Sequence, residues 1–264
     1  MIFRTIFFLF ILVPYIIIAL PIQWVIVKLD MKCWQYVPRG FHKLSCILLG
    51  LRVRAIGTPS EGRPTLMVSN HIAWTDIIAI GSQAPVTFVA KREVGDWPIV
   101  KQLAYLQRTI YADRNRRSET GRTAEAMGKH IADGHSVVLF AEGQSDIGTH
   151  VLPFRSALVG AAQMAIAGAG AKDVVLQPVT IAYTKLQGLP ISRNERSLIS
   201  WSKSNSLGQN LREIFGGSIK DITVAFGTPM PLTSTTDRKL VTKAAEDVVR
   251  ANLVALNRGG EVRV

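Results

Sequence analysis

The sequence predicts an α/β fold: a mixed, largely parallel sheet flanked by helices, preceded by a membrane-associated helical segment. Three observations predict it. Short β-branched runs alternate with helical periodicities from Leu51 onward, and an uncharged apolar run occupies Thr5 to Val27. At 264 residues the chain is long enough for one substantial core behind such a segment. The economical organisation is a membrane-anchoring part over 1–50 and a single α/β domain over 51–264.

The apolar run comes first. Between Thr5 and Val27 no side chain carries charge at pH 7, and at about 1.5 Å per helical residue the run matches the hydrocarbon thickness of a bilayer. Pro14 and Pro21 interrupt it, which predicts a kinked span or a re-entrant segment. No A-x-A-like cleavage site follows, which argues against a signal peptide. Arg4 before the run and a basic body after it place the α/β part on the cytoplasmic side of the inner membrane by the positive-inside tendency. Cys33 and Cys46 have neither metal-ligand nor redox spacing and fit a reducing compartment.

Residues 34–50 then place Trp34, Val37, Phe41, Leu44, Ile47 and Leu48 at helical spacing, opposite Arg39, His42 and Lys43, with Gly50 closing the helix. Such an amphipathic helix fits a bilayer surface or a protein core equally. Strands follow in LRVRAIG, TLMVSN, VTFVAK, TIYAD, SVVLFAEG, VVLQPVTIAY and DITVAFG. Between them the periodicity predicts helices over 75–83, 98–106, 117–133, 156–169, 206–215 and 236–256. The longest irregular stretch runs from Thr184 to Asn205. In such sheets, functional residues collect beyond the carboxyl ends of strands.

The net charge of +12 attracts polyanions: nucleic acid, an anionic bilayer, a phosphorylated ligand or an acidic carrier protein. No aromatic-interleaved basic motif supports nucleic acid. The five histidines, His42, His71, His130, His135 and His150, show no metal-ligand spacing, and the G-x-S-x-G elbow of a lipase is absent.

Chemistry concentrates at Asn70-His71-Ile72-Ala73-Trp74-Thr75-Asp76, just after the strand TLMVS. A five-residue step within one helix turns the two side chains apart, so His71 meets Asp76 only from the strand-to-helix turn, with Asp76 on the first helical turn. A carboxylate on one imidazole nitrogen fixes the tautomer and leaves the other free to take a proton from an alcohol. Taken alone, the segment reads more readily as a capped helix beside a loop histidine. At SVVLFAEGQSD a buried-looking strand ends in Glu142-Gly143, where glycine lets backbone approach a ligand or simply makes a βα turn. The segments KREVGDWP and TIYADRNRR add Lys91, Arg92, Arg114, Arg116 and Arg117, cations suited to phosphate or carboxylate, or to a solvated face.

In order and spacing, NHIAWTD, KREVGDWP, IYADR, FAEGQS and LPFRSALVGAA together resemble the motif set of the 1-acyl-sn-glycerol-3-phosphate acyltransferase family, over roughly residues 50–230. The resemblance implies His71 as base, Asp76 as its orienter, and an acceptor site including Glu142, Gly143, Gln144, Arg155, Lys91 and Arg114. It also implies an acyl thioester co-substrate, acyl carrier protein favoured or coenzyme A, with no bound cofactor or metal. Where the family commonly reads F-P-E-G-T-R, this chain has Ala141, Gln144 and Ser145; the lost arginine removes a phosphate partner. The stretch EGQSDIGTHVLPFRSAL, with AYTKLQGLPISR, is more similar to the lyso-ornithine lipid acyltransferase branch, whose acceptor carries no phosphate. That branch often has a Trp-Tyr-Gly-Asp-like stretch where this chain reads Trp201-Ser202-Lys203-Ser204. The expected activity is acyl transfer to a lysolipid hydroxyl. The alternatives are phosphatidate synthesis and non-catalytic lipid binding at a membrane.

Overall fold

The computed structural model describes the main chain of residues 2–264 except 61, 93–94, 96–97, 113–116, 202–206, 217–218 and 263; the side chains of 2–4, 98–99, 117–120 and 207 also lie outside the description. The described strands form one sheet in the order β1 (Leu51–Ile56), β8 (Lys220–Phe226), β6 (Val175–Leu186), β2 (Thr65–Ser69), β5 (Ser136–Phe140), β3 (Val86–Lys91) and β4 (Ile110–Ala112). Two-residue strands β7 (Leu189–Pro190) and β9 (Met230–Pro231) pair with β6. All neighbours along the main path are parallel except β6 and β8. This is the mixed, mainly parallel sheet that the alternating runs predict.

Among the described residues eight α-helices accompany it: α1 (Ile2–Lys28), α2 (Tyr36–Leu49), α3 (Thr75–Gln83), α4 (Pro98–Leu106), α5 (Arg117–Ala132), α6 (Ser156–Gly168), α7 (Leu207–Gly216) and α8 (Arg238–Asn257). Strand periodicity divides the core into two layers. Leu66 and Val68 of β2, with Val137 and Leu139 of β5, pack with Ile131 of α5, Val159 of α6 and Leu253 of α8. Met67, Val138, Phe140 and Tyr183 pack on the other side with Leu12 of α1, Leu49 of α2 and Ile78 of α3. Central strand β2 is buried at every residue, as a parallel strand covered on both faces must be.

Helix α1 runs as one continuous helix through Pro14 and Pro21. Each proline removes a helical hydrogen bond, but contacts outside the helix hold it. The Phe8 ring meets Phe215 of α7 edge-on at 4.8 Å, and the Tyr15 hydroxyl donates to the Val37 carbonyl at 3.0 Å. The buried Gln23 amide donates to the carbonyls of Trp34 (2.7 Å) and Leu106 (2.8 Å). Elsewhere along the helix Phe7, Phe10, Val13, Ile17, Ile18 and Trp24 are exposed. Among the described residues, this is the one helix long and apolar enough to cross a membrane.

Helix α2 differs from its predicted face. The helix starts at Tyr36, after Trp34, and its buried residues are His42, Ser45, Cys46, Leu48 and Leu49, so Leu48 is buried as its spacing predicts while Ile47 is exposed. The cause is close approach to α3. Small Ser45 and Cys46 face that helix, and a Cβ at Gly81 would sit 2.6 Å from the His42 ring, so the imidazole occupies the glycine's missing side chain. Burial pushes His42 down to about 4, and it packs as a neutral ring. The predicted irregular stretch is also more ordered than its composition suggests. Strand β6 extends to Leu186, Gln187 (φ 55°) and Gly188 (φ 84°) turn the chain into β7, and a 3-10 turn occupies Glu195–Leu198.

Candidate active site

Strand β2 delivers the chain to the site. Past Ser69, the Asn70 side chain completes the ladder to β6, donating from Nδ2 to the Ile181 carbonyl and accepting the Ile181 N–H at Oδ1, both at 2.9 Å. The main chain leaves the sheet at His71, yet its position remains tied to the sheet through that amide.

His71 is held by both of its backbone groups. Its N–H donates to Glu142 Oε2 at 2.7 Å, and its carbonyl accepts the Asp146 N–H at 2.9 Å. The ring stacks on Phe140 with centroids 4.1 Å apart and planes inclined by 22°. One residue on, the Ile72 carbonyl accepts the Trp201 N–H at 3.0 Å, while the Ser145 hydroxyl donates to the Trp201 carbonyl. The segment leading to Trp201 is thereby tied both to the His71 turn and to the loop that carries Glu142.

Asp76 lies on the first turn of α3 and is fully buried. Its Oδ2 accepts from His71 Nδ1 (2.8 Å), Ile72 N (2.6 Å) and Ala73 N (2.9 Å), while Oδ1 accepts from the Tyr183 hydroxyl (2.8 Å). Since a carboxylate only accepts, Nδ1 carries the ring proton and Nε2 is the acceptor. Backbone donors and a helix N-terminus offset the cost of burying this carboxylate. The His71 side chain keeps 18% of its surface exposed. The site therefore presents a basic imidazole nitrogen with a buried anion behind it.

Glu142 is also buried, and its two oxygens accept the N–H groups of His71 and Leu152, each at 2.7 Å. Burial pushes its carboxyl up to about 8, outweighing the two N–H bonds that favour the charged form. Unfolded glutamate loses its proton near ~4.3, so folded Glu142 binds more protons than the unfolded chain between there and about 8. Its contribution to stability is full below the unfolded value and is lost as pH rises through the folded one. Thermal unfolding should therefore show wild type losing stability relative to Glu142→Gln as pH rises toward about 8. Parallel melting profiles over that range would mean that the carboxyl is ionised throughout.

The remaining predicted residues surround this centre unevenly. Gly143 has φ +74°, and the Arg155 guanidinium fills the space beside it: a Cβ there would lie 2.7 Å from Arg155 Nε. Arg155 and Gln144 are exposed on the loop that carries Glu142, and Lys91 is exposed at the end of β3. Arg114 and Arg116 lie outside the described residues, as do Ser202, Lys203 and Ser204. The sequence reading missed Tyr183 and Phe140. A phenol ending the buried run VVLQPVTIAY was the available signal, because a buried hydroxyl requires a partner. Phe140 gave no such signal.

The acyltransferase family model matches residues 51–182, half of the chain, and spans both the His71 turn and the Glu142 loop. The chain belongs to the acyltransferase family. It is 40% identical to the lyso-ornithine lipid O-acyltransferase of Brucella abortus over 92% of this chain and 91% of that one. The protein of the same name from Rhizobium meliloti is 34% identical, over 94% and 85%. A 1-acyl-sn-glycerol-3-phosphate acyltransferase from Neisseria gonorrhoeae is 31% identical over 45% of this chain and 46% of its own. The crystal structure of the 1-acyl-sn-glycerophosphate acyltransferase from Thermotoga maritima shares the fold, with TM-score 0.67 and 20% identity over 96% and 94% of the two chains. The acyltransferase is thus an enzyme of lysolipid acylation, and the non-catalytic alternative gives way to that reading.

Proposed function

We propose that this acyltransferase esterifies the free hydroxyl of lyso-ornithine lipid, with His71 as general base. The observation that carries the acceptor is the relationship to the Brucella protein across nine tenths of both chains. Ser145 supports it: the position where the family commonly has arginine holds a hydroxyl engaged with the Trp201 carbonyl. A phosphate acceptor would find no cation there.

In this reading the lysolipid hydroxyl hydrogen-bonds to His71 Nε2, which takes its proton as the oxygen attacks the thioester carbonyl. The imidazolium forms against Asp76, and Phe140 fixes the plane of the ring. When the tetrahedral intermediate collapses, the C–S bond breaks and His71 returns the proton to the departing thiolate. The products are an ester and a free thiol, and no acyl-enzyme forms. Gly143, Gln144, Arg155, Lys91 and Arg114 are assigned to substrate binding in this reading; Glu142 shapes the loop that carries Gly143 and Gln144 through the backbones of His71 and Leu152.

The +12 charge suits an acidic acyl carrier protein as donor, with coenzyme A as the alternative. Helix α1 enters the lipid of the inner membrane along its exposed face, with the α/β domain on the cytoplasmic side. Full-length enzyme in detergent, supplied with acyl carrier protein and coenzyme A thioesters and with lyso-ornithine lipid or lysophosphatidate, tests acceptor and donor together. Ornithine lipid is the expected product, formed faster from the carrier-protein thioester and slowed by added salt. Phosphatidate as sole product would overturn the acceptor assignment, and indifference to salt would remove the argument for the carrier protein.

A further inference from the structure

We infer that Tyr183 is a positioning residue that sets the basicity of His71 through Asp76, an inference that rests on the general-base reading above. Tyr183 is 1% exposed on β6, in the core layer shared with α3. The alternation Val179, Ile181, Tyr183 points its ring at Asp76. Phenylalanine would fill this apolar space without a polar group to satisfy, so packing alone does not call for the hydroxyl.

The hydroxyl has defined partners. It donates to Asp76 Oδ1 at 2.8 Å, and it lies 2.6 Å from Thr75 Oγ1. Because its hydrogen goes to the carboxylate, the Thr75 hydroxyl must be the donor in the second contact. The result is a directed chain, Thr75 to Tyr183 to Asp76, ending at the carboxylate that holds His71 Nδ1–H. Among the described residues, Tyr183 is the hydrogen-bond donor to Oδ1, whereas Oδ2 takes two backbone N–H groups and the imidazole.

Two consequences follow. Anchoring both oxygens prevents the carboxylate from rotating about its Cβ–Cγ bond. Drawing negative charge toward Oδ1 also weakens the hold of Oδ2 on a forming imidazolium. Burial, then the Asp76 charge, raise the phenol well above its usual range, so it remains a donor throughout the assay range. The other titratable groups facing this network are Cys46 of α2, held as a thiol by burial, and Glu142 and Asp146 on the loop bound to the His71 backbone.

The experiment compares pH profiles of kcat/KM for wild type, Tyr183→Phe and enzyme carrying 3-fluorotyrosine at 183, a stronger donor. The acid limb should move to higher pH in the phenylalanine variant and to lower pH with fluorotyrosine. In Tyr183→Phe, kcat should fall about tenfold with KM unchanged, the scale of one charge-assisted hydrogen bond. Thr75→Val should move the limb in the same direction as phenylalanine, by less. Superimposable profiles in folded variants, or shifts of one sign in the phenylalanine and 3-fluorotyrosine enzymes, would overturn the inference. A His71→Ala control separates the two readings: if that variant stays active, the general-base proposal fails first, whereas its inactivity with unmoved Tyr183 profiles removes only the role of the phenol.

Discussion

His71→Ala is expected to lower turnover by about 10²- to 10⁴-fold, the usual worth of a positioned general base. The ring has no counterpart among the described groups that could replace it: Asp76 is fully buried, and both Glu142 oxygens accept backbone N–H groups. Alanine leaves those backbone bonds in place, so the loop should keep its geometry and the variant should fold. Transfer of labelled acyl groups to lipid, measured beside a melting curve, checks the result. A folded variant retaining more than about a tenth of wild-type turnover would place the base elsewhere.

The second large effect concerns Asp76, and here the hydrogen-bond directions distinguish two substitutions. In Asp76→Asn, the Ile72 and Ala73 N–H groups require an acceptor at the Oδ2 position, so the asparagine carbonyl oxygen stays there and Nδ2 turns to the Tyr183 hydroxyl. That hydroxyl can accept from Nδ2 and donate to Thr75. His71 Nδ1–H then keeps an acceptor and its tautomer, and only the anion is lost. Turnover should fall by about 10²- to 10³-fold, less than where an amide reverses the ring tautomer, which costs about 10⁴ in the serine-protease example. Asp76→Ala instead leaves three donors, the Ile72 and Ala73 N–H groups and His71 Nδ1–H, without their acceptor, while the Tyr183 hydroxyl can turn to Thr75, and it should lower stability by about 3 kcal/mol. Matched kcat, KM and melting measurements on the two variants test this. Equal stability in both would show that water replaces the carboxylate without cost.

The motif residues were legible because their chemistry constrains spacing. Five residues separate His71 from Asp76, too few for two elements and the wrong number for one helical face, which leaves the strand-to-helix turn. The sheet was equally legible in its β-branched runs. Tyr183 was not, because 107 residues separate it from Asp76 and their meeting depends on how β6 registers beside β2. His42 illustrates a different limit. Periodicity assigned it to a polar face, but helix-to-helix packing against Gly81 decided the matter. Such pairings are long-range, and local pattern carries no information about them.

The double hydrogen bond of Gln23 bears on how the enzyme finds its lipid. A primary amide near the C-terminal end of an apolar helix would be costly to strip from the carbonyls of Trp34 and Leu106 and leave bare in hydrocarbon. Gln23 thus ties α1 to the chain before α2 and to the end of α4. Under the proposed membrane seating, that tie fixes the depth of the His71 imidazole relative to the lipid surface, and two-dimensional diffusion of the acceptor supplies the encounter.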